Sequence, residues 1–275
     1  IKAERIAATR ESNEPHTQEI EYATPTWYQI KTVLRRTNLA FWRSPNYGFT
    51  RLFVHGIIAL LTGLAFLQLD DSRSSLQYRV FILFQITVIP AIIIQQVEVR
   101  YDFCRMISYR ETTSKMYRPI VYALTMIIGE LPYSILAGVV FFLPIYYIPG
   151  FSYATHRAGY QFFMVLITEI FAVTFGQMIQ ALTPSARIAL QFNPPFIVVF
   201  ALFCGVAIPK PQIPGFWRAW MYQLDPFTRL IGGMLVTELH DRPVQCTSEE
   251  LNRFDAPPGQ TCGEYLEPFF ERGGF

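Results

Sequence analysis

Apolar and polar residues alternate in long blocks along this chain, and five of the apolar blocks are long enough to cross a membrane. A membrane-spanning helix needs about 20 apolar residues, because each residue advances about 1.5 Å across a hydrocarbon core of about 30 Å. The predicted spans cover residues 52–69, 80–97, 120–148, 158–182 and 188–208. The pattern therefore predicts an all-α integral membrane protein with five membrane-spanning helices.

A shorter block with helical periodicity, at residues 26–44, precedes the first span. Apolar side chains recur on one face from Trp27 to Phe41, while lysines and arginines fill the other faces. Thr26 and Gln29 have the spacing of a capping box. A surface helix of a soluble domain would show the same pattern, but the adjacent span favours a basic amphipathic helix lying in the headgroup layer. Residues 1–24 are polar and lack periodicity, which predicts a cytosolic linker.

The distribution of lysine and arginine predicts the orientation of the spans. With the N-terminus inside, the cytoplasmic flanks hold eleven lysine and arginine residues, Arg51 among them, and the exterior flanks hold six. Positive charge is enriched on cytoplasmic flanks, so this bias predicts a cytosolic N-terminus. Residues 209–275 then form a re-entrant and extracellular region. Their first part is aromatic and punctuated by proline, and their last part is polar.

This orientation places Cys246 and Cys262 in an oxidising compartment, where they can form a disulfide that closes a loop of seventeen residues. Such a bond stabilises by up to about 3 kcal/mol in the chain-entropy model. We expect neither cysteine to react with a thiol reagent in intact, unreduced cells. Labelling of both cysteines under those conditions would contradict the disulfide and also the predicted topology.

Composition and motifs exclude several other functions. Only 16% of the residues are charged, against about 25% in globular domains. The net charge of +2 gives no reason to expect nucleic acid as a partner. The sequence has no phosphate-binding loop, dinucleotide fingerprint or zinc-protease motif, so we predict no catalytic residues and no metal site in this chain.

Two acidic residues, Glu130 and Glu169, lie within predicted spans. Ionisable groups in spans are candidates for function. A structural role is the first interpretation, in which each acid faces the bundle interior and is neutralised by a neighbour or by protonation. Backbone groups freed by Pro132 are candidate neighbours of Glu130. A proton-relay role is the alternative. His55, near the start of its span, is predicted to lie at the interface.

A charged segment at residues 105–119 separates the second and third predicted spans. It contains Arg105, Arg110, Lys115 and Arg118 together with one acid, Glu111. A solvated cytosolic loop that follows the positive-inside rule would explain the arginines and the lysine. It would leave Glu111 unexplained, so a contact with a partner domain is an equally open interpretation from the residues alone.

Several motifs occur in the order of a known family. They include "YATPTWYQIKTVLRRTNLAFWRSPNY", "LQYRVFILFQ", "YRETTSKMY", "GELPYSI", "YYIPGF", "GQMIQALTPSARIA" and "CTSEELNRFDAPPGQTCGEYL". Over residues 22–275 the chain resembles the second transmembrane domain of fungal pleiotropic-drug-resistance transporters, which are G-type (ABC-2 type) ATP-binding-cassette exporters. The resemblance implies an ABC-2 type transmembrane domain at residues 25–208 with five of six spans present. The chain is then expected to be a fragment that stops before the sixth span.

The resemblance implies a role for the charged segment. In this family the loop between the second and third spans forms a short coupling helix against the nucleotide-binding domains. The residues that match its signature are Arg110, Glu111, Ser114, Lys115 and Tyr117. ATP and Mg²⁺ would be bound by those domains and not by this chain. The implied partners are the nucleotide-binding domains and a second transmembrane domain, both expected in one polypeptide with this chain. Membrane lipid and hydrophobic small molecules are the other implied partners.

The resemblance also implies a transport function at the plasma membrane. The expected activity is ATP-driven export of hydrophobic or amphipathic compounds, including drugs. The substrate path would lie between the second and fifth spans of paired domains, at positions Ile89, Ile92, Val198 and Ala201, with Val206 and Ala207 near the outer constriction. Lipid or sterol transport with the same fold is one alternative, and a membrane scaffold or channel subunit is another.

Overall fold

The computed structural model describes residues 21–239, and helices account for most of them. In chain order the helices are α1 (Thr26–Trp42), α2 (Pro45–Ala65), α3 (Arg73–Gln85), α4 (Val88–Thr113), α5 (Pro119–Tyr147), α6 (Thr155–Leu182), α7 (Ala186–Phe203), α8 (Gly215–Leu224) and α9 (Pro226–Leu239). A short 3₁₀ turn, Lys210–Gln212, precedes α8. The prediction of an all-α fold is confirmed.

Five helical segments in the described part are long and apolar enough to cross a membrane, as predicted: Pro45–Ala65, Ser74–Thr113, Pro119–Tyr147, Thr155–Leu182 and Ala186–Phe203. The second segment is longer than the predicted span and consists of two helices, α3 and α4, that meet at Ile86 and Thr87. The Thr87 hydroxyl donates to the carbonyl of Phe84 at 2.7 Å, which satisfies a carbonyl at the end of α3.

Helix α4 continues well past the predicted end of its span. Its 26 residues correspond to about 39 Å, which exceeds the hydrocarbon core of about 30 Å. Residues 105–113 of the charged segment therefore form the last two and a half turns of α4, and the expectation of a separate short coupling helix is wrong. The reason is that Arg105 to Thr113 continue the helical hydrogen bonding without a break.

The prolines do not break their helices. Pro132 lies inside α5, and Pro194 and Pro195 lie inside α7, yet both helices are continuous. Proline removes one backbone donor, a loss that membrane-spanning helices tolerate.

Helix α1 packs along α5 at one end of the bundle, called here the α1 end. The predicted capping box is wrong, because the side chain of Gln29 is used elsewhere. Its amide donates to the carbonyl of Thr24 at 2.7 Å, and its carbonyl accepts from the backbone N–H of Arg118 at 3.0 Å. Trp27 and Trp42 are exposed, as expected for a helix whose aromatic side chains lie at a membrane interface.

Helix α2 carries its ionisable residues Arg51 and His55 inside and several large apolar residues outside. A buried stripe runs through Arg51, His55, Ala59 and Thr62, spaced at three and four residues. The opposite faces expose Phe49, Phe53, Leu60, Leu61 and Leu64. This pattern suits a span that faces lipid and turns its few ionisable groups toward neighbouring helices.

Close packing of α4 and α6 depends on a glycine. A Cβ atom at Gly176 would lie 3.2 Å from the Cα and carbonyl oxygen of Ile94. Small residues of this kind let helix backbones approach in membranes. The approach helps to place α6 where its acid, Glu169, meets α2.

The opposite end of the bundle is closed by loops and by α9, which packs against α3, α6 and α7. The Arg79 guanidinium donates to the carbonyls of Leu69 and Gly150 at 2.6 and 2.9 Å. The carboxylate of Glu238 on α9 accepts from the backbone N–H of Ser152 at 3.1 Å. Hydroxyl groups of Ser72 and Ser75 donate to Asp70 and hold its pKa at about 2, so this exposed loop stays charged.

Candidate coupling site and buried ionic cluster

Glu111 is held at the α1 end by two donors from different parts of the chain. The Arg36 guanidinium of α1 binds it with both nitrogens, at 2.6 and 2.8 Å, and the Tyr117 hydroxyl donates to it at 2.8 Å. The carboxylate raises the pKa of Arg36, chiefly through this hydrogen bonding. A bidentate pair fixes geometry as well as charge, so α1 and the end of α4 are locked together here.

A tight turn at residues 114–118 follows α4 and places the other predicted coupling residues. Lys115 adopts a positive φ of 51°, the left-handed conformation that ends many helices. The Ser114 hydroxyl donates to the carbonyl of Arg110 at 3.0 Å, and Tyr117 is buried. Lys115 lies 3.7 Å from Glu21, with both side chains exposed, so this pair contributes little.

The outer face of this site is apolar and cationic. Met106, Tyr109 and Met116 are exposed by more than 60%, and Arg110 lies exposed beside them. Exposed apolar groups next to a charge are typical of a protein-binding surface. We call these four residues with Glu111 the coupling surface.

Arg105 has a different role from its neighbours in the charged segment. It is buried, and its guanidinium donates to the carbonyls of Gln180, Thr183 and Pro184 at 2.7–2.9 Å. It also pairs with Asp102 at 2.7 Å. Because the last carbonyls of a helix lack partners, Arg105 caps α6 and fixes the α6–α7 loop to α4.

A buried ionic cluster lies between α2, α5 and α6, and Arg51 is at its centre. One guanidinium nitrogen donates to Glu130 at 3.1 Å, and the other donates to Glu169 at 2.8 Å and to the Ser134 hydroxyl at 3.0 Å. The side chains of Arg51, Glu130 and Glu169 are each at most 1% exposed. Both acids thus face the bundle interior beside the guanidinium of Arg51.

Two further residues of α2 complete the cluster. The Tyr47 hydroxyl donates to Glu130 at 2.6 Å, and Nε2 of His55 lies 2.9 Å from Oε1 of Glu169. The predictions that His55 lies at the interface and that Arg51 belongs to a cytoplasmic flank are therefore wrong. The side chains of Arg51 and His55 are buried because their partners, Glu130 and Glu169, approach from α5 and α6.

Sequence reasoning missed Arg51, His55, Tyr47 and Arg36 as site residues. The signal on α2 was present, since Tyr47, Arg51 and His55 are spaced by four residues and share one helix face. Two acids in later spans required compatible partners on such a face. No comparable signal joined Arg36 to Glu111, which lies 75 residues further along the chain.

A second buried polar pair joins α4 to α7. The Asn193 amide donates to the carboxyl group of Glu98 at 2.6 Å, and both residues are buried to 1% or less. Asn193 and Ala189 are the only residues of α7 that are fully buried. This pair is therefore the main polar attachment of α7 to the bundle.

The predicted substrate-path residues lie in different environments. Val198 is 63% exposed, and Ala207 is also exposed, whereas Ile92, Ala201 and Val206 are half-buried. Ile89 is 2% exposed and packs in the main hydrophobic core. The prediction that Ile89 lines an open path is therefore wrong, because Ile89 packs in one core cluster with residues of α3, α5 and α6.

The two remaining predictions concern the disulfide and the metal site. Cys246 and Cys262 lie outside the described residues, so their disulfide stays a prediction. Between residues 21 and 239, no group of three His, Cys, Asp or Glu side chains lies close enough to hold a metal ion.

Comparison with known proteins identifies the family. The sequence profile described as ABC-2 type transporter matches residues 28–239. The chain is 65% identical over 274 residues to ABC multidrug transporter I of Aspergillus fumigatus, covering 100% of this chain and 18% of that protein. It is 39% identical to the ABC-type transporter cns4 of Cordyceps militaris, over 91% of this chain and 18% of that protein.

A more distant relative is the Brefeldin A resistance protein of Schizosaccharomyces pombe, which is 30% identical over 90% of this chain and 16% of its own length. The fold is that of a multi-pass membrane domain. The chain belongs to the ABC-2 type transporter family. It spans less than a fifth of the length of these relatives.

Proposed function

We propose that this chain is the membrane half of an ATP-driven exporter that moves hydrophobic or amphipathic compounds, including drugs, out across the plasma membrane. The observation that carries the proposal is the open apolar face of α7. Phe192, Phe196, Val198 and Leu202 are at least 40% exposed, although Asn193 attaches the helix to the bundle. A second membrane domain facing α7 would enclose, together with α7, a cavity with apolar walls.

An apolar wall suits varied hydrophobic cargo. Such a wall demands no fixed hydrogen-bond geometry, and each buried methylene contributes about 0.8 kcal/mol to binding. The names of the Aspergillus and Schizosaccharomyces relatives, which describe multidrug transport and drug resistance, support drugs as the cargo.

Energy would reach the membrane domain through the coupling surface. In this proposal nucleotide-binding domains of the same protein hold ATP and Mg²⁺ and press against Met106, Tyr109, Arg110 and Met116. Glu111 belongs to the same surface, and Ser114, Lys115 and Tyr117 support it from the turn. ATP-driven closure can shift the membrane domain only if these contacts differ between its states. The α1 end would then be cytosolic.

The function is tested with the full-length protein in cells that lack their own drug exporters. We expect ATP-dependent removal of a hydrophobic dye and resistance to hydrophobic drugs, both absent without the protein. A leaflet-resolved lipid assay on the same cells is the counter-test. Lipid movement without export of any drug would overturn the proposed cargo.

Val198→Trp should change which drugs are exported, because the larger ring would fill space beside α7 that different drugs use to different degrees. We expect resistance to fall several-fold for some compounds and to remain for others, with basal ATP turnover largely intact. Ile92→Trp should act in the same direction. Drug-resistance profiles at matched surface expression measure the effect.

The matched control is Leu61→Trp, which adds bulk to an equally exposed site on α2. We expect Leu61→Trp to keep the parental profile. A parental profile in Val198→Trp and Ile92→Trp as well would move the substrate path to other faces.

A further inference from the structure

The hydrogen bonds of His55 fix the position of one of its protons. Nδ1 lies 2.7 Å from the backbone carbonyl oxygen of Arg51. A carbonyl oxygen only accepts, so Nδ1 must carry a hydrogen and donate it. Nε2 is therefore the nitrogen whose protonation can vary.

A second proton is required on the other side of the ring. Nε2 of His55 lies 2.9 Å from Oε1 of Glu169, and neither atom has another hydrogen-bond partner among the described residues. Without a proton, an imidazole lone pair and a carboxylate oxygen would face each other in contact, with no water available because both residues are buried. One proton shared by the two atoms removes this conflict, whichever atom holds it more tightly.

The same proton balances the charge of the cluster. Arg51 contributes one positive charge, and Glu130, which accepts from Tyr47 and Arg51, contributes one negative charge. The His55–Glu169 pair is neutral with its proton and negative without it. Loss of the proton would leave a net negative charge buried among three helices, which is costly.

Other groups near the cluster do not replace this proton. Arg100 of α4 acts on Glu130, but it is partly exposed and its guanidinium lies 4.9 Å from the Phe41 ring. The edge of the Phe141 ring faces His55 and is apolar. The remaining ionisable groups that face Glu130 are neutral in their ordinary forms, namely Tyr133 of α5 and Cys104 of α4.

We propose that His55 and Glu169 form a binding site for one proton, and that the bound proton allows α2, α5 and α6 to pack around a neutral cluster. Separation of α2 from α6 would open the site to water and release the proton. By linkage, proton binding and helix packing then stabilise each other. This inference concerns the membrane domain itself and does not depend on the identity of the cargo.

Two glutamine substitutions separate charge from hydrogen bonding. In Glu169→Gln the amide can donate to Nε2 and accept from Arg51, which mimics the loaded pair and keeps the cluster neutral. In His55→Gln the amide can still donate to Glu169, but two carboxylates then share one arginine. The folded His55→Gln variant must take up a proton on a carboxylate.

The experiment is thermal unfolding of the purified full-length protein from mildly acidic to mildly alkaline pH. The folded His55→Gln variant binds a proton that the unfolded chain lacks at neutral pH, so its stability should fall as pH rises. The expected slope approaches a tenfold change in the unfolding equilibrium constant for each pH unit. Glu169→Gln should show no such slope.

The double variant His55→Gln/Glu169→Gln provides the decisive control. It should lose the slope, and if His55→Gln alone yields no folded protein, the double variant should restore folded yield. Equal pH profiles for His55→Gln and Glu169→Gln would overturn the proposal. The proposal would also be overturned if the double variant kept the pH slope of His55→Gln or failed to restore the folded yield. The cluster would then depend on the imidazole itself and not on a proton.

Discussion

Arg51→Met should lower the free energy of unfolding by about 3–5 kcal/mol, the range measured when one partner of a buried ion pair is removed. The substitution takes donors away from Glu130, Glu169 and Ser134 together, because one guanidinium serves all three. Methionine has a comparable length but cannot donate, so the carboxylates would remain buried beside an apolar chain. This loss is a large fraction of the about 5–15 kcal/mol by which an ordinary domain is stable.

The loss is measured as folded yield and unfolding temperature of the full-length protein in detergent, together with its amount at the cell surface. Arg35→Met is the matched control, since it removes an exposed arginine of α1 and should change stability by less than about 1 kcal/mol. If the Arg51→Met variant were as stable as the wild type, the cluster could not be buried in the functional full-length protein.

A compensating variant tests the physical reason. Combining Arg51→Met with Glu130→Gln and Glu169→Gln removes the unpaired charges while keeping similar side-chain volumes. We expect the triple variant to recover much of the lost stability, since buried ion pairs can often be replaced by neutral groups at little cost. A triple variant as unstable as Arg51→Met would instead assign the loss to packing.

The number of spans was predictable from the sequence because it depends on local composition. Each apolar block is long enough to satisfy its own backbone as a helix, and the lipid-facing residues of α2 give a strong apolar signal. The end of α4 was not predictable in this way. Its last turns are polar, and they are stabilised by Arg36 and Tyr117 rather than by a hydrophobic pattern.

The buried cluster shows what composition alone misses. An arginine near the start of a span is usually an interfacial anchor, and the count of positive charges treated Arg51 as one. Its burial depends on Glu130 and Glu169, which lie 79 and 118 residues further along the chain. The acids were predicted to need partners, and the spacing of Tyr47, Arg51 and His55 marked a candidate face, but which acid each residue meets became visible only when three helices were placed together.

Glu111→Ala should reduce drug export about tenfold or more while changing surface expression much less. The Arg36–Glu111 pair is partly exposed, with 52% of the Arg36 side chain open to solvent, so its loss costs the fold only about 1 kcal/mol. Coupling energies between distant sites are typically about 1–3 kcal/mol, or about 5–150-fold in an equilibrium. An effect on export that exceeds the stability loss would therefore indicate coupling.

The measurements are drug export, surface expression and drug-stimulated ATP hydrolysis of the full-length protein. Lys31→Ala, which removes an exposed charge from the same helix as Arg36, should leave all three near wild type. Normal export together with normal drug-stimulated hydrolysis in Glu111→Ala would contradict a coupling role for this residue.

Exchanging the two charges tests whether the pair itself carries the effect. Arg36→Glu alone would place two carboxylates within hydrogen-bonding distance, and Glu111→Arg alone would place two guanidiniums there, so each should impair export at least as much as Glu111→Ala. The double variant Arg36→Glu/Glu111→Arg restores opposite charges between α1 and α4. Its export should exceed that of either single variant if the two helices must move as one unit. If the double variant exports no more than the single variants do, Glu111 acts through a partner beyond this chain. A contact between Glu111 and that partner would be lost in the double variant as well, because arginine replaces Glu111 there.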